Sequence, residues 1–179
     1  MSPSSSRGRR GSLFEPLVKE EVVDLLHSRF GIPGEAFEGC RFYRKAKSIW
    51  VMSDEDLPNL SYEALGLRMI SLKDRPWKPT TCALQVFGKY ATKNVVHLDD
   101  CQAKAFLAGE RQPLDVEREP GYVVVFYRGE VLGCGLYSRG ALASQLPKER
   151  RIANTTEGTN SAEGANTTEG ANSAEGEDN

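Results

Sequence analysis

The chain has 179 residues, 39% hydrophobic and 27% charged, with a formal net charge of −2. That length suits one domain of ordinary size or two small ones. No apolar run approaches the roughly 20 residues of a membrane span, and the start of the chain lacks a signal-peptide apolar core, so the sequence predicts a cytoplasmic protein with no membrane partner.

The charge is unevenly distributed. Residues 1–12 are rich in Ser, Gly and Arg, and Arg7, Arg9 and Arg10 make them a basic arm expected to be disordered. At the other end, residues 153–179 read ANTTEG, TNSAEG, ANTTEG, ANSAEG, EDN, a six-residue repeat without a large apolar side chain. Such a segment cannot bury a core and is expected to be a disordered tail. It holds six acidic residues, Glu157, Glu163, Glu169, Glu175, Glu177 and Asp178, and no Lys or Arg, which leaves residues 1–152 at +4. The acidic total therefore conceals a mildly basic body, suited to phosphate-rich partners.

Between the termini, Ser12 to Glu15 has capping-box spacing and Pro16 suits a first helical turn, predicting a helix whose apolar side is Val18, Val22, Leu25, Leu26 and Phe30. Gly31 and Pro33 end it. Cys40–Tyr43 and Ser48–Met52 read as strands joined by the cationic turn Arg44-Lys45-Ala46-Lys47. Asp54–Leu57 reads as a helical turn stopped by Pro58, and Gly66–Leu72 alternates like a strand. Pro76 and Pro79 then keep the backbone extended, marking a boundary at which Trp77 is too large and apolar to leave exposed.

Past that boundary, Thr80 can cap a helix ending at Gly88, and Val95–Leu98 reads as a strand holding His97 in the core or a groove. Asp99 and Gln102 have capping-box spacing for a helix stopped by Gly109. Tyr122–Tyr127 is an unbroken β-branched and aromatic run, and Arg128-Gly129 turns it back into Val131–Tyr137. In the return strand Gly133, Gly135 and Tyr137 alternate onto one nearly bare face. Arg139, Lys148, Arg150 and Arg151 lie at its exit, a composition that suits a phosphate backbone. For the glycines alone, the commoner use is to admit a neighbouring element. Short strands interrupted by small helices predict an α+β, β-barrel-like arrangement.

Cys40, Cys82, Cys101 and Cys134 are dispersed without paired-ligand spacing, so no metal or other cofactor is implied, and buried single thiols are expected. The candidate nucleophiles Cys82, Cys101 and Cys134 have no basic partner near them in sequence, and only two histidines exist, which argues against a nucleophilic enzyme.

Several of these segments, in order, resemble the PUA-type RNA-binding region at the C-terminal end of ribosomal RNA 5-methylcytosine methyltransferases of the fmu/NOL type. The matching residues are Gly66-Leu67-Arg68, Lys78-Pro79-Thr80, Val95-Val96-His97-Leu98 with Asp99, Gly109-Glu110, Leu132-Gly133-Cys134-Gly135, Pro147-Lys148 and Arg150-Arg151. The resemblance covers residues 66 to 151, and the preceding part is similar to the small domain that precedes PUA in such proteins and in stand-alone two-domain ribosome biogenesis factors. It implies a small α/β domain over residues 13–75 and a PUA-like mixed β pseudo-barrel over 76–152, between disordered termini. Together with the strand alternation and the cations at its exit, it points to RNA binding through Lys78, Gly133, Gly135, Tyr137, Arg139, Lys148, Arg150 and Arg151. No G-x-G-x-x-G methyl-donor loop is present. The expected function is a non-enzymatic, ribosomal-RNA-binding factor in RNA processing, modification or ribosome biogenesis. The alternative is an accessory RNA-binding subunit for a separately encoded methyltransferase.

Overall fold

The computed structural model of the protein describes residues 14–56, 58, 62–116 and 118–152. The basic arm and the acidic repeat lie outside the described residues, as do Ser12 and Leu57. An antiparallel sheet is built in chain order from β1 (Glu15–Leu17), β2 (Cys40–Lys45), β3 (Ser48–Ser53), β4 (Leu67–Ser71) and β5 (Lys78–Pro79). The second sheet contains β6 (Val95–Leu98), β7 (Arg111–Pro113), β8 (Gly121–Tyr127), β9 (Glu130–Ser138) and β10 (Ala141–Ser144) in the order β6-β8-β9-β10-β7. Only the β6–β8 pairing is parallel, and the sheet curls into a half-barrel. Helices α1 (Lys19–Phe30), α2 (Thr81–Phe87) and α3 (Asp100–Ala108) complete the α+β fold.

The start of the chain departs from expectation. Glu15, Pro16 and Leu17 pair with β2 as an edge strand instead of opening a helix. Proline tolerates that position because an edge strand leaves one side of its backbone unpaired. The helix begins at Lys19, its N-cap Val18 makes no side-chain cap, and Val18 is exposed rather than part of the apolar side. Val22, Leu26 and Phe30 form the buried face, and Gly31 closes the helix in the left-handed conformation with φ 64°. The helical turn expected after Asp54 is also missing from the described residues. Asp54 and Asp56 instead bridge to Arg41 of β2, and the Asp54 amide donates to Gly39 O at 2.7 Å.

Later elements follow their local signals. The Thr80 hydroxyl oxygen accepts from the Ala83 amide at 3.1 Å, capping α2. The Asp99 carboxylate accepts from the Gln102 amide at 2.8 Å while Gln102 Oε1 accepts from the Asp99 amide at 3.1 Å, closing the capping box of α3. The turn between β8 and β9 takes positive φ at both Arg128 (50°) and Gly129 (86°), as expected for a two-residue hairpin turn.

The hydrophobic interior has two parts. In the larger one, Ala83, Leu84 and Phe87 of α2 pack with Phe30, Phe37 and Ile70 from the first half of the chain and with Val124, Phe126 and Cys134 from the half-barrel. Trp77 is half-buried against this cluster, edge-on to Phe30 with ring centroids 6.0 Å apart. Polar ties cross the same junction: Arg29 Nη2 donates to Tyr122 O at 3.2 Å, and Asn94 Nδ2 donates to Arg29 O at 2.6 Å. The smaller core fills the half-barrel with Val123, Val125, Tyr137, Leu142 and Leu146, closed by Phe106 of α3.

Because one cluster takes side chains from both sheets, the two halves should unfold together. Urea denaturation followed by fluorescence of Trp50 and Trp77, both in the first half, is expected to coincide with far-ultraviolet circular dichroism. Leu84→Ala should lower the stability of that single transition by about 2–5 kcal/mol.

Candidate nucleic-acid interface

The two sheets meet at a cleft of about 540 Å³. One wall is the end of β4, β5 and the first residues of α2; the other is the chain leaving β10, from Ser144 through Lys148 to Arg151. Among the described residues four cations line it, Arg68, Lys78, Lys148 and Arg151, against one carboxylate, Asp74. The three ion pairs among the described residues join Arg41 to Asp54 and Asp56, and Arg128 to Asp100, so none engages the cleft cations.

Local structure fixes how these cations are presented. Lys78 follows the two-proline segment, and its ammonium donates to Gln145 Oε1 at 2.7 Å on the opposite wall, 5.9 Å from the Tyr122 ring centroid. Burial, with a smaller contribution from Asp74, pushes the Tyr122 hydroxyl above its ordinary pKa. Thr80, besides capping α2, donates its hydroxyl to Arg68 O at 2.7 Å, tying β4 to the helix start. Thr81 Oγ1 donates to Gln145 O at 3.4 Å and makes the corresponding tie to the other wall. Arg151 Nε donates to Leu146 O at 3.2 Å, and the side chain lies over Gly109 at the end of α3, where a cation complements the helix dipole.

The structure gathers only part of the set expected from sequence. Lys78, Lys148 and Arg151 share the cleft, and Arg150 turns to α2, where its Nη1 donates to Gln85 Oε1 at 3.3 Å. Arg139 does not join them. It occupies the β9–β10 turn, whereas the cleft begins at Ser144 at the other end of β10, and its neighbour Ser138 accepts from Arg111 Nη2 at 3.2 Å.

The expectation of an open glycine floor is corrected. Gly133, Gly135 and Tyr137 are all buried. Alternation does put them on one face, but the curl of the sheet turns that face inward. A Cβ on Gly135 would meet Leu142, Val125 and Val123, while Tyr137 donates its hydroxyl to Val116 O at 2.7 Å. Gly133 lies beneath Thr81 and Leu146, two residues of the cleft lining, so it lets that lining approach the strand without itself facing a ligand.

Two cleft residues escaped the sequence reading as site residues. Arg68 stood out only as part of a Gly-Leu-Arg motif; its exposure on a strand whose next three residues are buried was the available signal. Gln145 gave none, since its role depends on Lys78 across the cleft. The cationic turn after β2 does not contribute. Lys45 instead donates to the Tyr62 and Glu63 carbonyls at 3.2 and 2.6 Å. His97 is exposed rather than in a core or groove, with its ring 5.2 Å from that of Phe126.

The cysteines likewise differ among themselves. Cys134 is buried, and desolvation pushes its thiol up to about 12, but Cys101 is exposed and Cys40 and Cys82 are partly exposed. No group of metal-ligating side chains occurs among the described residues.

Residues 93–152 match the family described as methyltransferase RsmF PUA domain. The chain carries a PUA-type domain. Over 144 residues it is also 25% identical to the ribosomal RNA small subunit methyltransferase F of Aeromonas salmonicida (strain A449), a match covering 76% of this chain and 29% of that protein. The PUA-type domain thus resembles the C-terminal region of such methyltransferases, and this chain spans less than a third of that relative's length. Of the cleft cations, Lys148 and Arg151 fall within the matched residues, whereas Arg68 and Lys78 precede them.

Filling the Gly135 position should damage folding rather than binding. Gly135→Val is expected to destabilise the protein by about 1–3 kcal/mol through overpacking of the half-barrel, with RNA affinity unchanged at temperatures where the variant remains folded. Alkylation offers a second check. Below pH 9 iodoacetamide should modify Cys101 in the native protein but reach Cys134 only on unfolding, because its thiol is both enclosed and held protonated; mass spectrometry of the labelled peptides reads the order.

Proposed function

We propose that this protein binds ribosomal RNA through the cleft lined by Arg68, Lys78, Lys148 and Arg151, and that it acts as a non-enzymatic factor in RNA modification or ribosome assembly. The observation that carries the reading is the convergence of four cations from separate parts of the chain on one cleft at the edge of a PUA-type domain. Lysine and arginine neutralise phosphates without reading bases, and the Lys78–Gln145 bond holds one cation in place before any ligand arrives. The thiol enclosed most deeply, Cys134, is held protonated, which favours a packing role over nucleophilic catalysis. No helix among the described residues is long and apolar enough to cross a membrane, in keeping with a protein acting in the cytoplasm.

A second reading has its own support. The similarity to a methyltransferase covers 29% of that protein, so a module of this kind can work beside a catalytic one. This chain would then lend RNA affinity to a separately encoded RNA methyltransferase. Recovery of methyl transfer to ribosomal RNA only when such an enzyme is added would favour it, whereas transfer from a labelled methyl donor by this chain alone would overturn the non-enzymatic assignment.

Fluorescence anisotropy with ribosomal RNA fragments tests the cleft. Changing Lys78, Lys148 and Arg151 together to Ala should weaken binding to many sequences alike and reduce the slope of log affinity against log salt by about 2–3, roughly 0.7–0.9 for each phosphate left without its cation. Arg139→Ala, outside the cleft, should leave both quantities at the parent values. Equal binding by the triple variant and the parent would refute the site.

A further inference from the structure

We infer that the acidic repeat of residues 153–179 is an intramolecular competitor for the cationic cleft, lowering its affinity for RNA in a salt-dependent way. This rests on the reading that the cleft holds RNA, and adds how that site is regulated.

The root of the repeat is fixed beside the cleft. Arg151 lines the cleft and is held by its bond to Leu146 O, and the next residue, Ile152, donates its amide to Leu107 O at 3.0 Å at the end of α3. The repeat begins at Ala153. Its first carboxylate, Glu157, is six residues beyond Arg151, so even a fully extended backbone keeps it within about 20 Å. Chains tethered over such distances experience effective concentrations in the millimolar range.

Charge complementarity selects the occupant. Among the described residues the cleft presents Arg68, Lys78, Lys148 and Arg151 against Asp74 alone, and the repeat carries six carboxylates and no cation. Each hexad has a single Glu among Ala, Gly, Asn, Ser and Thr, with nothing large enough to pack into an apolar site. An electrostatic contact is therefore the interaction this segment can offer. Its strength is limited by the same spacing: from Glu157 to Glu175 one charge recurs every six residues, whereas RNA carries one at every nucleotide. The repeat should yield to a long RNA but compete effectively with short or sparsely charged ligands. It sets a threshold rather than blocking the site.

The test keeps the full chain and changes only charge. All five Glu of the repeat become Gln and Asp178 becomes Asn, and the variant is compared with the parent using a fluorescein-labelled ribosomal RNA hairpin and a labelled trinucleotide. At ~50 mM salt the neutralised chain should bind the hairpin roughly 2–10-fold more tightly and gain more for the trinucleotide; by ~500 mM, where the screening length is a few ångströms, the difference should vanish. Nitrogen-15 spectra of the two full-length proteins without RNA should differ at Lys78, Gln145, Lys148 and Arg151, and the differences should collapse with salt. Equal affinities at low salt with no spectral differences at the cleft would overturn the inference. If neither protein binds RNA yet the spectra differ at the cleft, the tail contact stands and the RNA reading falls; binding by both at equal affinity leaves the RNA reading in place and removes the competitor.

Discussion

The position of α2 between the two sheets is the constraint on which the rest depends. Its seven residues pack against β4 on one side and β9 on the other, and Ala83, Leu84 and Phe87 enter a cluster that neither sheet could close alone. A sheet with one apolar face needs something packed on that face, and for both sheets α2 is part of that cover. By filling the junction, α2 gives both sheets a common interior and fixes their separation. The cleft is what remains at the open edge of that junction, where Thr80 and Thr81 begin the helix and tie each wall to it by a hydroxyl bond.

This arrangement explains how scattered cations become one surface without an ion pair to any of them among the described residues. Lys78 comes from a two-residue strand, Arg68 from the exposed position of β4, and Lys148 and Arg151 from a 3-10 turn after β10. They are brought together by backbone routes and neutral donors and acceptors. Neutral partners such as Gln145 and the Leu146 carbonyl orient the charges but do not cancel them, leaving their field available to an anion. A carboxylate in either place would have held the side chain as firmly and offset the attraction for phosphate.

The similarity to ribosomal RNA methyltransferase F and the geometry of the cleft bear on different questions. The first extends over 76% of the chain and comes from a protein more than three times as long as the matched part. The second concerns electrostatics, in which Arg68 and Lys78, outside the matched PUA residues, contribute as much positive charge as Lys148 and Arg151 inside them. An RNA seated there would therefore touch both sheets, and their mutual rigidity through α2 would matter to affinity as well as to stability.

The sequence alone determined those features whose causes are local. Thr80 and Asp99 capped the helices they were expected to cap, Gly31 and Gly109 ended theirs in the left-handed conformation, and Arg128-Gly129 turned the hairpin, because each signal acts within a few residues. Strand alternation correctly placed Gly133, Gly135 and Tyr137 on one face. It could not say whether that face pointed to solvent or inward, since this depends on the curl of the sheet and on Leu142 and Leu146 arriving from later in the chain. The same limit separated Arg139 from Lys148: both follow β9 closely in sequence, yet β10 carries them to opposite ends of a strand. The strands β1, β5, β7 and β10, two to four residues each, were illegible for a related reason. These segments lack the β-branched pair that marked the four residues of β6, and become strands only because a neighbour supplies the hydrogen bonds.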